Sequence, residues 1–264
     1  MKPMYCAAAL LLAAPTGALA DGPEISPICT DRPTKANAVC TVPEGKWQLE
    51  TSLASWSLTK FEGSEAKALA FGGSALKFGL SDRSDFQLLV NPYVRTESRT
   101  EGVRREASGF GDLTVRYKHR LTGENSKVQV GAIPFLKLPT ASSDVGNGKV
   151  EGGLALPISI AASPVTVVLG PELDVLADAD GDGRHAALVN LVNVSGPVAD
   201  GMTLIAEVWT MTNFDPAQTV TLVSADVALA YAVSNRVQFD LGANYGLTKW
   251  TPDVELYLGV STRF

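Results

Sequence analysis

Val254-Glu-Leu-Tyr-Leu-Gly-Val-Ser-Thr-Arg-Phe264 closes the chain. Val254, Leu256, Leu258, Val260, Thr262 and Phe264 share one parity, and Glu255, Tyr257, Gly259, Ser261 and Arg263 share the other. Side chains alternate along a strand, so this stretch predicts an extended strand with one apolar and one polar face. The same period-two pattern recurs upstream. Leu113, Val115, Tyr117 and Leu121 alternate with Asp112, Thr114, Arg116, Lys118 and Arg120. Val237, Phe239, Leu241, Ala243, Tyr245 and Leu247 alternate with Gln238, Asp240, Gly242, Asn244 and Thr248.

Twelve such segments are expected: 46–58, 74–80, 85–95, 112–121, 127–138, 151–161, 165–176, 186–195, 202–212, 219–233, 237–248 and 254–264. In the eighth, Asn190 and Asn193 have opposite parity and leave its polar face unassigned. The connections alternate between short turns (81–84, 122–126, 162–164, 196–201, 234–236) and mostly longer polar loops (59–67, 96–109, 139–150, 177–185). A transmembrane up-and-down barrel has this asymmetry, with short turns on the periplasmic side. A secreted β-sandwich would show the same alternation with the apolar face inward. The hydrophobic fraction of 45% and mean hydropathy of +0.11 favour the barrel, whose apolar residues meet lipid at every second position. Pro92, Pro134, Pro157 and Pro171 fall within the segments and are expected near strand ends or bulges, because proline offers no N–H to a ladder.

Residues 1–20 read as a secretory signal peptide: Lys2, an apolar core from Ala7 to Ala14, and Ala18-Leu19-Ala20 before Asp21. The apolar run is shorter than the roughly 20 residues a spanning helix needs. Cys29 and Cys40 then remain, and in an exported chain they predict a disulfide rather than a metal site. They lie in residues 21–45, a segment without periodicity that is expected as a stapled lead-in on the periplasmic side. The barrel takes residues 46–264. The chain carries a net charge of −6, which becomes −7 when Lys2 leaves with the signal peptide, and it offers no basic surface for nucleic acid.

An alternating final strand ending on Phe264 resembles the last strand of bacterial outer-membrane barrels, where the ending is an insertion signal read by the barrel assembly machinery. Further pieces widen the resemblance. They are Thr30-Asp-Arg-Pro33, Val42-Pro-Glu-Gly-Lys-Trp-Gln-Leu-Glu50, Lys77-Phe-Gly-Leu-Ser-Asp-Arg83, Gly109-Phe-Gly-Asp-Leu-Thr-Val-Arg116 and Pro134-Phe-Leu-Lys-Leu-Pro-Thr140. In this order they resemble the outer-membrane transporter family associated with the phenol meta-degradation pathway. The resemblance implies a Gram-negative outer-membrane β-barrel, lipid around it, and transport of small aromatic or other hydrophobic solutes. It implies no catalytic residue and no cofactor.

On the polar parity, Lys77, Arg95, Arg116, Lys118, Arg120 and Lys137 form a basic face on the second to fifth segments. Glu172, Asp174, Glu207, Asp226, Asp240 and Glu255 form an acidic face on the seventh to twelfth. In a closed cylinder these faces oppose each other. They either flank a passage and orient a passing solute, or pair directly and fill it. Twelve strands tilted by about 40° give a backbone radius of about 12 Å, and small inward residues such as Gly79 and Gly259 leave room. Asp178-Ala-Asp-Gly-Asp-Gly183 matches the first half of a calcium loop, but Val189 stands where the closing Glu belongs. Asp178, Asp180 and Asp182 are therefore a weak metal candidate beside the reading as an acidic turn. Two histidines, His119 and His185, with no G-x-S-x-G elbow, give an enzyme little to work with. The expectation is a passive channel, and the alternative is a structural or adhesive barrel with a closed lumen.

Overall fold

The protein is described here by a computed structural model covering residues 26–264; the expected signal peptide and residues 21–25 lie outside the described residues. The regular elements described are strands. In order they are β1 (Trp47–Phe61), β2 (Ser64–Ser81), β3 (Ser84–Val90 continuing as Tyr93–Thr100) and β4 (Val103–Gly109 continuing as Leu113–Arg120). Next come β5 (Val128–Leu138), β6 (Glu151–Ala155 continuing as Ile158–Ala162), β7 (Val165–Leu169 continuing as Glu172–Ala177) and β8 (Arg184–Ala199). The last four are β9 (Met202–Phe214), β10 (Thr219–Ser234), β11 (Val237–Gly246) and β12 (Val254–Arg263). Each pairs antiparallel with the next, and β12 returns to β1 in the register Gln48↔Arg263 through Leu58↔Val254. The sheet is a closed barrel of twelve strands. Phe264 completes the seam through two backbone bonds with Trp47, of 2.9 and 3.0 Å.

Burial is inverted relative to a soluble protein. Phe239 is 48% exposed and Leu256 49%, whereas Lys77 is 2% exposed and Gln87 0%. A sandwich would have enclosed the leucines. Here the apolar parity faces outward as a lipid-contacting belt and the polar parity lines the lumen. The chain is an outer-membrane β-barrel.

Two loops expected to be long are instead strand. Residues 59–67 and 96–109 form hairpins whose turns, Glu62-Gly63 and Glu101-Gly102, have positive φ at both residues. Paired left-handed residues build the tight turn that matches strand twist. Charged residues such as Lys60, Glu65, Arg95, Glu97, Arg99 and Arg104 erase the apolar alternation there, because above the membrane both faces of the sheet are wet.

The prolines fall where the ladder is broken. Pro92, Pro157 and Pro171 lie in the interruptions of β3, β6 and β7. Beside Pro134 the β4–β5 ladder lapses between the pairs Arg116↔Phe135 and His119↔Ala132. In β8, Asn193 is the inward asparagine and Asn190 the outward one.

Candidate functional site: a lumen filled by the N-terminal segment

The described part of the N-terminal segment lies within the barrel, which corrects the expectation of a lead-in on the periplasmic side. The Arg263 guanidinium donates to the Ser26 carbonyl at the entry. The chain then rises to Thr34–Asn37, turns back, and leaves past Gly79 to join β1. A side chain at Gly79 would collide with the Pro43 carbonyl, so only glycine allows that approach. Ile28, Val39 and Val42 are buried, and the Cys29–Cys40 disulfide ties the two arms of the loop together.

The opposed charged walls meet the loop rather than each other. Asp31 accepts from Lys118 Nζ and Lys77 Nζ, both at 2.6 Å, and from the Ala38 N–H at 2.8 Å. Lys77 also pairs with Glu50 at 2.5 Å. One residue on, Arg32 reaches the far wall and pairs with Asp240 at 2.6 Å. Lys35 pairs with Asp226 at 2.6 Å and donates to Ser224 at 3.2 Å. The backbone N–H groups of Lys35 and Ala36 donate to the Glu207 carboxylate at 3.0 and 3.1 Å. Asn193 and Gln238 hold Thr34 and Thr30, each at 3.0 Å. Burial disfavours charge on Asp31, but Lys118, Lys77 and Arg116 outweigh it and hold the carboxyl well below the usual carboxylate range.

The expected faces are thus partly assembled. Lys77, Arg116, Lys118 and Arg120 line one side, with Arg116 donating to Asn37 Oδ1 and Arg120 to the Asp82 carbonyl at 2.8 Å. Glu172, Asp174, Glu207, Asp226 and Asp240 line the other; Glu255 accepts from Asn244 at 2.8 Å. Arg95 is not in the lumen: it sits on the outer hairpin and pairs with Glu106 at 3.2 Å. Lys137 sits nearer the loop end, held by Asp112 and Glu151 at 3.0 Å each. The acidic turn does not converge on one point, since Asp178 accepts from His185 at 2.8 Å and Asp182 from Lys149 at 2.8 Å. Among the described residues no group of His, Cys, Asp and Glu is arranged to hold a metal.

Sequence reasoning missed Asp31, Arg32, Lys35 and Asn37 as lumen groups. The signal was present in Thr30-Asp-Arg-Pro33, whose neighbouring charges of opposite sign match two opposite walls. Above Thr34–Asn37 lies a cavity of about 450 Å³, a vestibule walled by Leu89, Phe135, Leu191, Trp209 and Met211 and by Arg116, Glu172 and Asp174. The Lys35 ammonium lies 5.3 Å from the Trp209 ring centre. Below the loop, cavities of about 380 and 350 Å³ adjoin Cys29 and Cys40.

A closed barrel with a charged lumen, occupied by the chain's own N-terminal loop, defines the class of this protein as an outer-membrane β-barrel. Residues 30–264 match the family described as "Putative MetA-pathway of phenol degradation", and the chain belongs to that family. No curated protein matches it in sequence. Among solved structures it is similar to the COG4313 outer membrane channel from Pseudomonas putida F1. That likeness has 16% identity and a TM-score of 0.72, over 86% of this chain and 98% of the other. It is also similar to the transport unit of the autotransporter AIDA-I from Escherichia coli, with 13% identity and a TM-score of 0.50, over 83% and 90% of the two chains. At such identities the likeness is one of fold.

Proposed function

We propose that this protein is an outer-membrane channel for passive passage of small solutes, and that residues 26–45 are its gate. The observation that carries this reading is the chemistry of the loop–wall contact. It is made largely of ion pairs and hydrogen bonds, which water can replace when the loop leaves. Arg32, Lys35 and Asp31 each neutralise a wall group, so departure of the loop would leave a polar, hydrated bore.

The vestibule combines aromatic and aliphatic walls with Arg116, Glu172 and Asp174, which suits small amphipathic solutes. The family's description names phenol degradation, and Trp209 and Phe135 favour aromatic compounds. No enzymatic role is proposed. His119 stacks on Tyr117 outside the barrel and His185 is engaged by Asp178, so neither stands beside a nucleophile. Phe264, paired with Trp47 at the closing seam, is proposed as the signal read by the assembly machinery.

Conductance in planar bilayers tests the channel reading. The intact protein is expected to show rare openings, and a variant lacking residues 26–45 a sustained large conductance. A deletion variant that folds as a heat-modifiable barrel yet conducts no more than bare membrane would overturn the proposal in favour of a structural barrel.

A further inference from the structure

Two guanidinium groups at the periplasmic end of the barrel are enclosed without a counter-charge to match. Arg120 is 5% exposed and Arg263 6%. Arg120 Nη2 donates to the Asp82 carbonyl at 2.8 Å, while its Nη1 is buried with no hydrogen-bond partner among the described residues. Its one ion-pair partner among them, Glu124, stands 3.8 Å away on a side chain that is 80% exposed. Arg263 uses Nη2 on the carbonyls of Ser26 and Asn235, and its Nε and Nη1 make no hydrogen bond among the described residues. Carbonyls satisfy an N–H but do not cancel a charge, and an arginine is seldom buried unless it is paired.

Both arginines face one cavity of about 350 Å³. Loop and barrel build it jointly: Ser26 and Cys29 come from the entering arm of the loop, Cys40 and Thr41 from the leaving arm, and Gln129 from β5. Each arginine also braces one arm. Arg263 carries the Ser26 carbonyl, and Arg120 shares the Asp82 carbonyl with the Thr41 hydroxyl, which donates to it at 3.2 Å. Asp82 and Glu124, the acids on the cavity wall, are exposed. The enclosed charge is therefore positive. A guanidinium offers its donors in a planar fork that matches paired oxygens of a carboxylate or phosphate.

We propose that Arg120, Arg263 and the two arms of the loop form a site for a small oxyanion, a carboxylate or phosphate, that enters from the periplasm and latches the loop in place. The site stands on its own geometry; the latching rests on the gate reading. Because the loop supplies part of the wall, only the docked state offers the complete site, and a ligand stabilises the state it binds. At about ten times its dissociation constant the oxyanion should lower the open-to-docked ratio roughly tenfold.

Calorimetric titration of the full protein in detergent tests the site, with inorganic phosphate and propionate as separate probes in a Tris chloride buffer. Saturable binding of at least one is expected, and the arms tell phosphate from carboxylate. Arg120→Gln should weaken it by roughly tenfold or more, as for loss of a hydrogen bond to a charged group. Gln129→Glu keeps the side chain's shape and supplies an internal carboxylate, so it should abolish binding in a barrel that remains heat-modifiable. Neither probe binding saturably, or binding that both variants leave unchanged, would overturn the site. Asp21 and Glu24 precede the described residues. If only Asp21→Asn with Glu24→Gln binds the probes, the arginines are served by the chain's own acids and the proposal falls. Single-channel recording tests the latch: the bound probe should lower open probability from the periplasmic side and lose this effect in Arg120→Gln. Saturable binding with unchanged gating would remove the latch and keep the site. A protein that binds the probe but never conducts would count against the channel reading instead.

Discussion

Replacing Asp31 by alanine should open the channel, and the size of the effect follows from what is left behind. Lys77 keeps Glu50 at 2.5 Å. Lys118 keeps only the carbonyls of Ala38 and Cys40, because Asp31 is its one ion-pair partner among the described residues. Its side chain is 2% exposed, so an ammonium is stranded without a counter-charge. Removing one member of a buried pair costs about 3–5 kcal/mol. With the loop displaced, Lys118 meets water, so the penalty falls on the docked state alone. At about 1.4 kcal/mol per factor of ten, the docked-to-open ratio falls by roughly 100- to 4,000-fold. Open probability in single-channel recordings reads this ratio. Asp31→Asn keeps the shape and an acceptor for the Ala38 N–H, so it should reproduce most of the change. Adding Lys118→Met should restore closure by removing the stranded charge. An Asp31→Ala barrel that folds normally and gates like the wild type would refute the reasoning. So would an opening that Lys118→Met leaves untouched.

Other expectations are independent of that experiment. Cys29→Ser with Cys40→Ser frees a loop closed over a separation of 11 residues, loosening its docking by about 3 kcal/mol in the chain-entropy picture. A reducing agent should reproduce the rise in open probability seen in the double variant. Asp31 titrates below its ordinary range in the docked loop, so its stabilisation is complete above the free value near 4 and is lost only as pH falls through the depressed one. Open probability should therefore stay flat on Asp31's account from pH 7 to about 4. Glu172→Gln with Asp174→Asn should reduce cation preference, measured as a shift in reversal potential under a salt gradient. Deleting Phe264 removes two seam bonds and the proposed assembly signal, so heat-modifiable barrel should fall in isolated outer membranes while total synthesis holds.

The barrel was legible because lipid enforces the alternation: Phe239 and Leu241 must face outward wherever Asp240 faces inward. The twelve staves, their antiparallel order and their short turns follow from that rule. The hairpin above the membrane around Glu101-Gly102 was not legible as strand, because no single solvent there selects one parity. The lumen was half legible. Parity placed Lys118 and Asp226 inside, but could not say what they meet. Residues 26–45 have no period at all, since an inserted loop packs through complementarity to a surface built by other strands. Arg32 finds Asp240, 208 positions away in sequence, and no local pattern encodes that pairing. Arg95 misled because the parity of β3 continues past the membrane, where facing inward no longer means facing a lumen.

The charge order of the loop is what would make a plug of this kind reversible, as the proposed gate requires. An apolar stopper would need apolar walls, and burying its leucines would cost about 25 cal/mol per Å² to undo. The walls here are charged because a solvated bore is polar, and unpaired charges in a closed lumen would be prohibitive. Asp31, Arg32 and Lys35 resolve the conflict by bringing each wall its opposite sign within five residues. Each contact made on docking replaces hydration and each one broken regains it, so the two states differ by a small remainder of large opposed terms. The same logic puts control of the proposed gate at the buried Lys77–Asp31–Lys118 cluster rather than at the part-exposed Lys35. A stranded charge weighs most where water is farthest.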